Sequence, residues 1–527
     1  MEPQDKEKTE QTIEVLNPAT GERLGVVPSR DGEHARETVA RARRAQPRWG
    51  RAPVARRAEV IRRFRDLLLD RADELSRLLS LENGKVLQES FQMEVFPLAD
   101  LATYFAGRAE RILAPRRIPL HLLKHRRSTI HHRPRGVVLV ISPWNYPLSI
   151  PFGETIMGLL AGNAVIVKPA EQTPLIALRA RELLLEAGLE PDLLQVVTAP
   201  GPVASEMIEI GVDYVNFTGS TEVGRRVSAA CGRLLTPCTM ELGGKDPAIV
   251  LPDADLDLTA GSLVWGAFAN AGQTCASVER VYVHESVHDA LVDRVVDRVR
   301  RLRVGDPLED GIDMGPMTEP AQLAKVERQV EQAVARGAMV LTGGARLGGP
   351  GQFYPPTVLV DVDDGMEIAR EETFGPTLPI MRYATVDEAV RRANRSVYGL
   401  DAYVYGRDRA LTAQVARQLD AGTVMVNETL ITHACPETPW GGVKQSGVGR
   451  VHSDDGLREL CAQVHVNDEA IRAPGWSPFW QPYSHGMYRA LVGAARTLQH
   501  SRVAVRAGGA WSLLENAVRE LRRRRAA

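Results

Sequence analysis

The chain lacks any run of about 18 or more consecutive apolar residues, so nothing in it reads as a helix long enough to cross a bilayer. Cysteine is scarce too. The five present, Cys231, Cys238, Cys275, Cys435 and Cys461, are odd in number and have no CxxC spacing. That argues against a disulfide framework or a zinc site, so no metal is expected, and it favours a reducing compartment. Neither sign of charge dominates: 65 basic residues against 66 acidic ones give a net charge of -1, and no whole-chain field points to nucleic acid. The opening residues, MEPQDKEKTEQT, are charged with no apolar stretch behind them, so no secretion signal is expected and the cytoplasm is the default location.

What is present is globular material in quantity. With 527 residues, 44% of them hydrophobic, the chain exceeds one compact core, and its length suggests roughly two to four domains. Residues 57–82 put Val60, Ile61, Phe64, Leu67, Leu68, Leu75, Leu78 and Leu79 on one stripe, which predicts a single amphipathic helix stopped by Asn83-Gly84. From Gly136 the pattern changes to short β-branched runs at 136–142, 164–168, 194–198 and 214–218, separated by helix-length stretches. Similar runs follow at 248–251, 280–283, 339–342, 378–382 and 423–427. Strands alternating with helices predict an α/β fold with a doubly wound parallel sheet, followed by a second α/β domain.

Two loops stand out chemically. FANAGQTC at 268–275 ends a glycine-containing loop on Cys275, just before an apolar strand. Taken alone, such a cysteine is more often a small buried hydrophobe than a nucleophile. TMELGGKD at 239–246 sets Glu241 before two glycines, where backbone can approach a ligand closely; the residue is a candidate base or an exposed charge at a strand end.

With ISPWNYP around Asn145, these segments resemble the aldehyde dehydrogenase superfamily in order and approximate spacing. NAVIVKPAEQTP at 163–174, FTGSTEVG at 217–224, EETFGP at 371–376, YGLDAYVY at 398–405 and PWGGVKQSGVGR at 439–450 extend the resemblance, which spans about Val15 to Asn467. It implies a Rossmann-like cofactor domain (1–115 and 135–243), an α/β catalytic domain (244–455) and a small bridging β element (116–134 and 456–468). Through that element, using strands at 128–132 and 460–466, subunits would pair as a homodimer or homotetramer. It further implies oxidation of an aldehyde to a carboxylic acid with NAD, or alternatively NADP, as hydride acceptor. Cys275 would be the nucleophile that forms a thiohemiacetal and then a thioester, Asn145 the oxyanion donor, and Glu241 the base that activates the hydrolytic water. Lys168 and Glu171 match the contacts to the adenosine ribose, where a carboxylate favours NAD. Gly219 and Ser220 match the turn and helix start that meet the pyrophosphate. Glu372 and Phe374 match positions beside the nicotinamide ribose and ring, and Ser142, Trp144, Gly201 and Leu242 complete the implied cofactor contacts.

Thr274 and Ala276 flank the cysteine, so no adjacent thiol can protect it by a disulfide. The segment NAGQTC followed by SVERVYVHES is similar to family members acting on long apolar aldehydes, which leans toward an apolar substrate. No carboxylate-reading arginine can be assigned, and semialdehydes stay open. The rival readings are a CoA-acylating dehydrogenase, which Glu241 disfavours, a catalytically silent relative with a structural or binding role, and a thiol hydrolase with no histidine to pair with Cys275.

Residues 469–527 form a different material. From 471 onward there are ten arginines and two acids, Glu515 and Glu520, a surplus of +8 that leaves -9 on the rest. Trp476, Phe479, Trp480, Tyr483, Tyr488 and Trp511 lie among them. Met487, Leu491, Val492 and Leu498 make one helical stripe, and Trp511, Leu514, Val518 and Leu521 another that ends in residues 522–525, all arginine. Either the helices dock on their own subunit with a solvated arginine face, or they lie on an anionic membrane, peripheral to its inner face.

Overall fold

The β-branched runs become the strands of two sheets in the computed structural model, which describes residues 11–471 and 477–526, with side chains up to Arg523. Trp476 and the side chains of Arg524 and Arg525 lie outside the described residues. Packing divides the chain into two units. One runs to Ala114 and resumes from His132 to Gln463; the other takes Pro115–His131 and the chain from Val464 onward.

In the first unit, one sheet has the spatial order Gly447–Val448, Cys238–Glu241, Tyr214–Thr218, Val137–Ile141, Ala164–Lys168, Leu194–Val196. All neighbours are parallel except Gly447–Val448, which runs antiparallel to Cys238–Glu241. The chain enters at Val137–Ile141, winds outward through Ala164–Lys168 and Leu194–Val196, then crosses back and winds outward on the other side. Where the two directions part, the carboxyl ends of the strands border a crevice suited to a ligand. Val137–Ile141 and Ala164–Lys168 are buried along their whole length, as strands of a parallel sheet covered on both faces should be.

The second sheet has the order Met339–Thr342, Thr357–Val360, Thr377–Tyr383, Val278–His284, Asp246–Val250, Asp401–Tyr405, Thr423–Val426. Only Met339–Thr342 is antiparallel to its neighbour. Each sheet has its own apolar core.

Several expectations need correction. The helix predicted over 57–82 is two helices, Val54–Asp70 and Ala72–Asn83, because Arg71 leaves helical space at φ -107°, ψ 18°. The first half packs mainly on Phe96–Leu113, and both halves touch Pro174–Glu186. The stop at Gly84 is as expected, left-handed at φ 96°. Among the strands the apolar-run reading passed over are Thr12–Leu16, Arg23–Pro28, Arg116–Ile118, Cys238–Glu241, Thr357–Val360, Asp401–Tyr405 and Gly447–Val448. Most are short or carry polar residues.

One buried ion pair ties the helical layer to the sheet. Lys85 Nζ lies 2.6 Å from Glu94 Oε1, and both side chains are fully buried. Glu94 Oε2 also accepts the backbone N–H groups of Leu148 (3.1 Å) and Ser149 (2.7 Å), so it caps the helix Ser149–Ala161. Lys85 further donates to the Asn145 carbonyl at 2.8 Å and stands over the Tyr146 ring.

The second unit holds an antiparallel sheet in the order Cys461–Glu469, Arg126–Pro134, Arg116–Ile118, with ends clamped by Arg127 on Asp468 and Arg126 on Asn467. It also holds the tail helices His485–Gln499 and Val503–Ala526.

Breaking a buried pair by removing one partner costs about 3–5 kcal/mol. Lys85→Met is therefore expected to lower the denaturant midpoint sharply, and Lys85→Met combined with Glu94→Leu to recover part of the loss, as read by chemical unfolding.

Candidate active site

The site is assembled where the first sheet hands over to the second. Only Leu242 to Lys245 separate Glu241, the last residue of Cys238–Glu241, from Asp246, the first of Asp246–Val250. A Cβ at Gly243 would lie 2.7 Å from the Glu372 carboxylate, and one at Gly244 would lie 2.5 Å from the Cys275 carbonyl. Backbone without side chains lets all three segments converge.

Cys275 follows the short helical turn Ala269–Gly272, in which Asn270 (φ 53°), Ala271 (φ 53°) and Gly272 (φ 71°) are consecutively left-handed. Such a run in two non-glycine residues must be held by its surroundings. Glu89 accepts the Asn270 N–H at 3.1 Å; the Asn270 amide donates to the carbonyls of Asn145 and Gln273; Tyr146 and Thr274 join hydroxyls at 2.8 Å. Burial raises the Cys275 thiol well above its ordinary value, and the nearby carboxylates of Asp246, Asp401, Glu241 and Glu372 push it the same way.

The Asn145 side-chain amide, 2% exposed, gives one N–H to the Gln273 carbonyl at 3.0 Å. That bond aims the amide at the thiol loop and leaves its second N–H. Glu241 sits at a strand end, as read, but it is buried. Neither of its carboxylate oxygens has a hydrogen-bond partner among the described residues. Burial drives its pKa well above the carboxylate range, Glu154 adds repulsion, and Arg450 opposes both.

Cys275 borders two cavities. One, of about 330 Å3, is walled by Met93, Phe96, Trp265, Leu430, Ile431 and Trp440, and no lysine or arginine lines it. The other, of about 20 Å3, lies between Cys275, Glu241, Glu154, His433 and His452 and has room for about one water. A larger cavity of about 730 Å3 elsewhere in the unit reaches neither Cys275 nor Glu241.

The residues matched to cofactor contacts fall mostly at one edge. Ile141 is in register with Lys168 and Phe217, and Thr218 with Glu241, so Ser142, Lys168, Gly219 and Leu242 all stand at or just past the carboxyl ends of parallel strands. Lys168 Nζ lies 3.4 Å from Glu171. Ser142 Oγ is buried without a partner among the described residues, an orphan that a bound polar group would satisfy. Ser220 caps the helix Thr221–Leu234, whose free N–H groups suit an anion. Trp144 and Phe374 meet edge to face at 5.5 Å, and Glu372 accepts the Gly244 N–H at 3.1 Å. Burial raises Glu372 to about 7. Gly201 differs: it opens the exposed helix Gly201–Gly211, and a side chain there would meet open space.

Residues unread in the sequence hold these parts in place. Lys245 pairs with Glu279 in full burial and donates to Thr373 Oγ1 at 2.9 Å. Glu279 accepts the N–H groups of Thr373 (2.7 Å) and Phe374 (2.8 Å), which fixes the EETFGP loop with Phe374 at φ 55°. A glutamate inside the apolar strand Val278–His284 was the available signal. Glu154, raised to about 8 by burial, accepts from Asn216.

A thiol and an unpartnered carboxylate beside the crevice of a doubly wound sheet suit a nucleotide-dependent oxidoreductase. The sequence matches the profile of the Aldehyde dehydrogenase family over residues 5–466, and the chain belongs to that family. It is 42% identical over 440 residues to a putative succinate-semialdehyde dehydrogenase [NADP(+)] of Mycolicibacterium smegmatis, covering 83% of this chain and 85% of the relative. It is 39% identical over 457 residues to the mitochondrial succinate-semialdehyde dehydrogenase of Arabidopsis thaliana, with 86% of each covered. The crystal structure of an NAD-dependent aldehyde dehydrogenase from Sinorhizobium meliloti superposes with TM-score 0.85 at 36% identity, over 89% of this chain and 93% of that one.

Glu154 binds its proton more tightly folded than unfolded, so its stabilising contribution is complete below the unfolded carboxyl value and is lost as pH rises toward about 8. Unfolding midpoints of the native chain should fall between pH 5 and 8. Glu154→Gln should flatten that slope by an amount on the order of a few kcal/mol.

Proposed function

We propose that Cys275, Asn145 and Glu241 oxidise an uncharged, apolar aldehyde to its carboxylic acid, with NAD as the preferred hydride acceptor. The single observation that carries this reading is that Glu241, whose two oxygens have no partner among the described residues, and Cys275 line one chamber of single-water size. In this mechanism the Cys275 thiol gives up its proton to the chamber water beside Glu241 and the sulfur bonds to the aldehyde carbon. The resulting oxyanion takes the second N–H of the Asn145 amide together with backbone N–H. The oxidised nicotinamide, held at the strand ends, would accept the hydride that leaves this carbon as its carbonyl re-forms, so that a thioester on Cys275 remains. Glu241 then removes a proton from the chamber water as it attacks the thioester; the carbon–sulfur bond breaks, the acid leaves and the thiolate is regenerated. Without CoA in the scheme, Glu241 has a task that an acylating relative would not need filled.

Substrate class follows from the larger cavity. Its walls are aromatic and aliphatic, and His433, the titratable nitrogen base there, is held neutral, with burial lowering it to about 4. A second carboxylate would find no cationic side chain among the lining residues. This separates the proposed substrate from the semialdehyde in the names of the mycobacterial and plant relatives. Ser142, Trp144, Lys168, Glu171, Gly219, Ser220, Leu242, Glu372 and Phe374 would hold the dinucleotide, with Glu171 beside Lys168 disfavouring a 2'-phosphate and Gly201 supported least. The sheet containing Arg126–Pro134 and Cys461–Glu469 would pair subunits as a homodimer or homotetramer.

Cys275→Ala is expected to abolish NADH formation while retaining dinucleotide binding; steady turnover in that variant would sink the mechanism. Glu241→Gln should give one burst of NADH and then stall. Loss of the Asn145 donor in Asn145→Ala should lower kcat by about 100-fold or more. In a panel without CoA, kcat/KM should favour aromatic and medium-chain aldehydes over succinate semialdehyde by at least tenfold, and the reverse order would overturn the substrate assignment.

A further inference from the structure

The C-terminal extension has no part in the site described above, yet it is built in an unusual way. Its helices His485–Gln499 and Val503–Ala526 form a hairpin in which the buried residues are small or polar, Ala490, Gly493, Gly509, Asn516 and Glu520, apart from Met487. At the crossing, a Cβ on Gly493 would lie 2.6 Å from the Leu513 nitrogen, and one on Gly509 would lie 2.8 Å from the Gly493 carbonyl. Only glycine allows so close an approach. Ser484 Oγ donates to buried Glu520 at 2.8 Å and closes the open end.

Large residues are thereby turned outward. Trp511, Leu514, Val518 and Leu521, spaced i, i+3, i+7 and i+10, make one stripe along the second helix with exposures of 73%, 63%, 44% and 43%. Trp480 and Tyr483, just before the first helix, are 60% and 74% exposed. Burial of small groups and exposure of aromatic ones inverts what a solvated hairpin requires.

The charge beside the stripe identifies its cover. Arg519 and Arg522 flank it, and Arg489, Arg496, Arg502, Arg506 and Arg523 complete seven guanidinium groups between residues 477 and 523. The two carboxylates in that span are already engaged within the hairpin, Glu515 by Arg519 and Glu520 by Arg523. A second hairpin laid on this one would bring like charges together. A nucleic acid would satisfy the arginines but leave Trp511 and Leu514 in water. An anionic bilayer meets both needs, since phosphates face the arginines and the headgroup boundary receives the aromatic stripe.

We propose that the hairpin lies flat on an anionic lipid surface, with the stripe from Trp511 to Leu521 in the headgroup–acyl boundary and the flanking arginines on lipid phosphates. Docking of this kind keeps the chain peripheral, for no described helix is long and apolar enough to cross a membrane. The proposal is independent of the catalytic reading.

The experiment is sedimentation of the full chain with vesicles of phosphatidylcholine alone or with one third phosphatidylglycerol. The bound fraction should be at least tenfold higher on the phosphatidylglycerol vesicles, fall in 1 M salt, and drop at least tenfold in Trp511→Glu/Leu514→Glu. Aldehyde oxidation serves as the folding check for that variant. Arg519→Gln/Arg522→Gln, a milder surface change, should also weaken binding several-fold. Equal binding to both vesicle types, or none to either, overturns the proposal, as does unchanged binding by the stripe variant. Stripe-dependent self-association without vesicle binding, read by light scattering, would assign the stripe to a second copy and refute it too.

Discussion

The four-residue link from Leu242 to Lys245 is the constraint on which the rest of the site depends. It joins the two sheets covalently, carries Glu241 at one end and ends on Lys245, which helps pin the EETFGP loop from the other side. Gly243 and Gly244 let the Glu372 carboxylate and the Cys275 backbone touch the link itself. The separation of base, thiol and crevice is therefore set by backbone contact rather than by flexible side chains. Precision of this kind is what positioning catalysis requires.

Buried charge is used in two opposed ways. Lys85 with Glu94, and Lys245 with Glu279, are paired and supplied with extra hydrogen bonds, so they hold loops and helix ends in place. Glu241 is left without protein partners among the described residues, and Glu154, Asp246 and Asp401 crowd the same region with pKa values raised by burial. The paired charges resist change. Glu241 is costly in the resting fold and is available for proton transfer because no described residue occupies either of its oxygens.

Much of this was legible from residues alone. Ala164–Lys168, Tyr214–Thr218 and Met339–Thr342 have the predicted bounds, since an apolar run between turn residues has few other fates in a two-sheet protein. The segments around Cys275 and Glu241 were readable because close backbone approach leaves glycines in the sequence, whereas Asn145 was read through the resemblance carried by ISPWNYP. Partners far apart in the chain were not. Glu89 meets Asn270, and Asn83 meets Thr318, through contacts no periodicity encodes. Arg71 is an ordinary helix former, and nothing local in the sequence marks the break there. Asp401–Tyr405 is an interior strand and wholly buried, yet its acidic start kept it out of the apolar runs.

The pairing of Gly447–Val448 with Cys238–Glu241 has a bearing on how the chain is made. Until that late segment leaves the ribosome, the strand that ends in Glu241 is the outer edge of its sheet, and its hydrogen-bonding groups on that side wait unsatisfied. The earlier strands can assemble first, but the glutamate is locked against its neighbours only once Val448 has emerged. Maturation of the reactive centre thus trails the synthesis of its own strand, and a chain cut short before Gly447 carries the thiol without a finished cradle around it.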